Sequence, residues 1–90
     1  MKTIWKYELK PDKIIYDIPE GAKVLCVMQQ GGNICIWVEV DPDKPKVKRS
    51  FRVYGTGHDI AGDTDKDLDY IGSVKLNQGS YVFHIYEYIG

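Results

Sequence analysis

A chain of 90 residues, with 12 lysines and arginines against 13 aspartates and glutamates, makes one small domain of formal net charge -1. That balance excludes a general nucleic-acid coat, and 43% apolar with 28% charged residues excludes a mainly disordered chain. No apolar run reaches the roughly 20 residues of a membrane-spanning helix. The opening Met1-Lys2-Thr3-Ile4-Trp5-Lys6-Tyr7-Glu8 has no secretory apolar stretch, so a cytoplasmic protein without a membrane partner is expected.

The first predicted strand, residues 4–9, puts Trp5, Tyr7 and Leu9 on one face and ends at Pro11-Asp12. The second, residues 14–18, ends at Pro19-Glu20-Gly21. The third and fourth, residues 23–30 and 33–40, flank Gly31-Gly32, a pair suited to a type I′ hairpin because both central residues need positive φ. Asp41-Pro42-Asp43-Lys44-Pro45 leads into the fifth, residues 47–54. There Val47, Phe51 and Val53 point one way, and Lys48, Ser50, Arg52 and Tyr54 the other. Arg49 falls on the apolar side, which places it at a strand end, snorkelling, or beside an anion; the strand end is the expected choice. Residues 65–69 are the one candidate for a helical turn. The sixth strand, residues 70–76, reaches the Asn77-Gln78-Gly79 turn. The seventh, residues 81–88, carries Val82, His84, Tyr86 and Tyr88 on one face and Tyr81, Phe83, Ile85 and Glu87 on the other. His84 reads as a hydrogen-bonded structural residue. The pattern predicts an all-β fold: a compact antiparallel sandwich or barrel of about seven strands, with little or no helix.

A two-residue hairpin loop places Gln30 opposite Asn33, Met28 opposite Cys35, Cys26 opposite Trp37, Val27 opposite Ile36 and Leu25 opposite Val38. One face then carries Leu25, Val27, Ile34, Ile36, Val38 and Val40, and the other Val24, Cys26, Met28, Cys35 and Trp37. Both are apolar, where a half-wet sheet would alternate. An interface between copies of the chain accounts for the second face, so a homo-oligomer is expected; the alternative is that residues 59–69 fold over it. Cys26 and Cys35 are diagonal, which argues against a disulfide and suits small buried hydrophobes. A zinc site would need both to converge with His58 and His84, so no metal is expected.

The stretch Arg52-Val53-Tyr54-Gly55-Thr56-Gly57-His58-Asp59-Ile60 is the main candidate site. Gly55 and Gly57 let the backbone approach a ligand, Thr56 adds a hydroxyl, and His58 a titratable donor. Arg52 or Arg49 would supply a fork for phosphate. No Gly-Lys-Ser/Thr follows and the third glycine of a dinucleotide fold is absent, so the reading is an anion cradle, against a plain turn that needs two glycines. Residues 63–69 alternate carboxylates as a calcium loop does, but Leu68 and Val74 occupy its glycine and glutamate positions, so a solvated loop is expected. Asp59 points away from His58 on a strand, and Ser50, Thr56 and Cys26 have no base with an orienting partner. No enzyme and no cofactor are expected. Trp37 is the candidate stacking residue, from the same or a neighbouring chain.

Ile4-Trp5-Lys6-Tyr7-Glu8-Leu9, Ile18-Pro19-Glu20-Gly21-Ala22, Trp37 with Val40-Asp41-Pro42, Tyr54-Gly55-Thr56-Gly57-His58, Tyr70-Ile71-Gly72 and Val82-Phe83-His84 together resemble a family of small uncharacterised proteins carried by phages and prophages. The resemblance spans nearly the whole chain and assigns no residue a role. It implies an accessory protein in the host cytoplasm. By analogy with small β-rich phage oligomers that sequester nucleotide immune signals, the expected function is non-enzymatic binding of a nucleotide-like anion by Arg52, Tyr54, Gly55, Thr56, Gly57, His58 and Trp37. The alternatives are a module that blocks a host protein through the Trp37/Met28 face, and a virion-associated structural protein.

Overall fold

Alternating apolar and β-branched side chains form seven strands in the computed structural model, which describes residues 1–10, 14–60 and 67–89. They are β1 (Thr3–Leu9), β2 (Ile15–Pro19), β3 (Lys23–Gln30), β4 (Asn33–Val40), β5 (Lys46–Gly55), β6 (Leu68–Leu76) and β7 (Tyr81–Tyr88). Two antiparallel sheets, ordered β1-β4-β3 and β2-β5-β7-β6, pack as a sandwich. Among the described strands, β3–β4 and β6–β7 are the hairpins between consecutive strands. Gly31 and Gly32, with φ of 60° and 82°, make the expected tight turn of the first.

Leu9, Ile34, Ile36, Val38 and Val40 from one sheet meet Ile18, Phe51, Val74 and Ile85 from the other in the buried core. Trp5 and Tyr7 pack against it, as their parity with Leu9 predicts. One expectation fails in β3. Val24 pairs with Val38 while Cys26 pairs with Trp37, so Leu25 is the extra residue of a bulge. Val24 therefore joins the core and Leu25 turns outward, 42% exposed. A second bulge, between Tyr70 and Gly72, lets β6 approach β3 closely; a β-carbon on Gly72 would stand 2.7 Å from Val27 Cγ1.

The two ends of the sandwich differ. At one, Arg49 points between the sheets, not out at a strand end: Nε donates to Glu87 Oε2 at 2.5 Å, Nη2 to Oε1 at 2.7 Å and Nη1 to the Ala22 carbonyl at 2.6 Å. The expected strand-end position is wrong because β5 begins at Lys46, which places Arg49 inside the ladder opposite Tyr16. The hydrogen bonds that the guanidinium donates to Glu87 raise it above its ordinary value against the opposing effect of burial. At the other end the layers part around a cavity of about 610 Å³. The calcium-loop reading of residues 63–66 and the start of the expected helical turn lie outside the described residues. Leu68 and Asp69 are strand.

Candidate functional site

β5, β7 and β6 lie side by side, so their outward residues form rows across the sheet. Ser50–Tyr88–Leu68, Arg52–Tyr86–Tyr70 and Tyr54–His84–Ser73 follow from the pairing registers. None of these side chains is a carboxylate. Tyr86 lies at the centre: its ring is 5.8 Å from that of Tyr54 and 5.3 Å from that of Tyr70, both edge-on. The Arg52 guanidinium sits 4.4 Å from the Tyr88 ring centroid and donates to Ser50 Oγ at 3.1 Å and to the Phe51 carbonyl at 3.3 Å.

A line of hydroxyls crosses the next row. Tyr70 Oη is 2.6 Å from Ser73 Oγ, Ser73 Oγ is 2.7 Å from His84 Nδ1, and His84 Nε2 is 2.8 Å from Thr56 Oγ1. Thr56 Oγ1 also reaches the Val82 carbonyl at 3.4 Å, to which it can only donate. It then accepts from His84 Nε2, which leaves Nδ1 to accept from Ser73 and Ser73 to accept from Tyr70. His84 is thus held at both ring nitrogens by hydroxyls, as its structural reading expects. Among the described residues no carboxylate bonds to it.

The residues singled out in the sequence divide. Arg52, Tyr54 and Thr56 share this outer face. Arg52 and Thr56 stand about 13 Å apart along the strand, however, and Arg52 is directed to Tyr88 and Ser50. In the turn after β5 two of the amides are already engaged within the fold: Thr56 N donates to the Val82 carbonyl at 3.2 Å and His58 N to the Gly55 carbonyl at 3.0 Å. His58 folds back on Gly55, and its ring lines two hollows. One is the 610 Å³ cavity between the sheets. The other, of about 200 Å³, lies between Tyr54, Gly57, Ile60, His84 and Tyr86.

Trp37 is not near these residues. It lies on the outer face of the other sheet, between Lys6 and Cys26, so it cannot stack on a ligand held by the tyrosine face of the same chain. Around it Ile4 is 55%, Met28 50% and Leu25 42% exposed. Cys26 is half-buried beside it and Cys35 is buried; neither forms a disulfide. Burial pushes the Cys35 thiol up, Lys6 opposes this, and Glu8 adds to it.

Sequence parity does put His84, Tyr86 and Tyr88 on one face. Their neighbours Tyr54 and Tyr70 follow only from the β5-β7-β6 order, and β5–β7 joins strands that are not consecutive. Among the described residues no three His, Cys, Asp or Glu side chains converge as a metal would require, and no helix is long and apolar enough to cross a membrane.

Neither a curated protein nor a solved structure matches the chain. One family model, described as a domain of unknown function, matches residues 1–89, so the chain belongs to that family, DUF7352.

Proposed function

We propose that the protein binds a nucleotide-like anion on its tyrosine face and does no chemistry on it. The observation that carries this reading is the array of Tyr54, Tyr70, Tyr86 and Tyr88 around Arg52 on a solvent-facing sheet surface without a carboxylate among its three rows. A flat base finds rings and hydroxyls there. The negative group is drawn to Arg52 on one side of Tyr86 and to His58 on the other. This replaces the backbone cradle and the same-chain Trp37 stack. In the phage setting that the resemblance implies, the anion is a host signalling nucleotide, held by a self-associating protein that sequesters it in the host cytoplasm.

The test is calorimetric titration with a panel of mono-, di- and cyclic nucleotides. Saturable binding is expected for at least one, and Tyr86→Ala should weaken it about tenfold or more, since one base-stacking ring contributes roughly 1–3 kcal/mol. Arg52→Ala plus His58→Ala should abolish it without unfolding the chain. No affinity for any nucleotide, or affinity indifferent to these changes, removes the reading.

A second reading is favoured by Trp37 and its exposed neighbours Ile4, Met28 and Leu25, an apolar patch suited to anchoring a protein partner. Trp37→Ala would then lose a host protein, or self-association, and leave nucleotide affinity unchanged.

A further inference from the structure

We infer that the open end of the sandwich is a second ligand site, which shares His58 with the tyrosine face and takes an amphipathic carboxylate: an apolar chain between the sheets and its head at Lys10 and His58. The two layers here part around a half-open cleft of about 610 Å³. That lies within the roughly 300–1,000 Å³ of ordinary small-molecule pockets. The walls are Leu9, Ile14, Ile34, Val53, Leu76 and Phe83, contributed by both sheets and by the segment leading into β2. Water confined among such side chains has few polar partners, so an apolar occupant is favoured.

The polar members of the lining select the head group. Among the described residues they are Lys10, Asn33 and His58, all solvent-exposed and none a carboxylate. An anion with two acceptor oxygens suits an ammonium, an amide and an imidazole together. A nucleotide does not fit this chamber, because its base and sugar would bury polar atoms against aliphatic walls. The site is also one-ended. Arg49 and Glu87 fill the far end of the interlayer space, so the chain enters past Lys10 and stops within the core.

Titration of the intact protein with decanoate below its micellar concentration tests this. One saturable site per chain is expected. Leu76→Trp fills the chamber and should lower affinity at least tenfold. Lys10→Glu should lower it about fivefold, the upper end for an exposed ion pair, while affinity for the uncharged 1-decanol stays the same. Lys10 is solvent-exposed, so this variant reports even if Leu76→Trp lowers stability. Tyr86→Ala, which removes the centre of the tyrosine face, should leave decanoate affinity intact. Absence of saturable binding, indifference to both cavity variants, or loss on Tyr86→Ala each overturns the inference; the last reassigns the binding to the tyrosine face.

Discussion

His58 occupies the space that a side chain on residue 55 would need: a β-carbon built on Gly55 would stand 2.7 Å from both Cε1 and Nδ1 of the imidazole. The ring therefore rests on bare backbone, between the interlayer cavity and the outer hollow. Gly55→Ala is expected to swing the ring away, since an exposed side chain moves more easily than the β5–β7 ladder. The cost should stay below about 1 kcal/mol. The His58 ring resonances should shift in the variant, and the Gly55→Ala cost should shrink further in a His58→Ala background.

Arg49 and Glu87 are 19% and 13% exposed at their side chains, so neither charge is well hydrated once its partner is lost. Glu87→Ala should destabilise the fold by about 3–5 kcal/mol in urea unfolding, because a nearly buried guanidinium is left uncompensated. The double change Arg49→Met with Glu87→Leu should recover most of that loss, as apolar replacements of similar size often do.

The two cysteines should separate in a thiol assay. Cys26 is half-buried beside Trp37, whereas Cys35 is 3% exposed with its thiol pushed up by burial. In native protein at mildly alkaline pH a bulky disulfide reagent is expected to modify Cys26 first and Cys35 at the rate of unfolding. In denaturant both should react together. Equal native rates would show that Cys35 is more accessible than its packing indicates.

Tyr7 makes the fold sensitive to alkali. Burial, and then the neighbouring Tyr16 at 5.1 Å between ring centroids, raise its phenol above the ordinary tyrosine value of about 10. On raising the pH, the unfolded phenol loses its proton first, which favours the unfolded state. The contribution of Tyr7 is thus fully present below about pH 10 and is lost as pH rises from there through the higher folded value. Tyr7→Phe should flatten the fall in stability over that window.

Much of this fold is written locally. The third, fourth and seventh strands begin and end at the predicted residues, because glycine pairs, prolines and the Asn77-Gln78-Gly79 turn mark their limits. Bulges are not written that way: nothing in Lys23-Val24-Leu25-Cys26 marks Leu25 as the extra residue, and the shift reverses which of Val24 and Leu25 faces the core. Arg49 escapes a local reading for a related reason: its partner Glu87 lies 38 positions away and meets it only after β5 and β7 pair. The candidate site suffers most from this. Arg52, Tyr54 and Thr56 share one strand and could be grouped by parity. Tyr70, Ser73 and His84 join them only through the strand order, and the same order puts Trp37 on the opposite side of the molecule.

The contrast between the two ends of the sandwich sets how the backbone opens. Around Arg49 and Glu87, and at the β3–β6 corner where Gly72 meets Val27, the layers are fastened. Around Gly55 and Phe83 they face a cavity. Amide hydrogens along β5 and β7 should therefore exchange with solvent on a gradient, slowest at Phe51 and Ile85 and faster toward Gly55 and Phe83. Any molecule that fills the open end would slow that fast half without touching the other. Hydrogen exchange would then report occupancy of the chamber before the occupant is known.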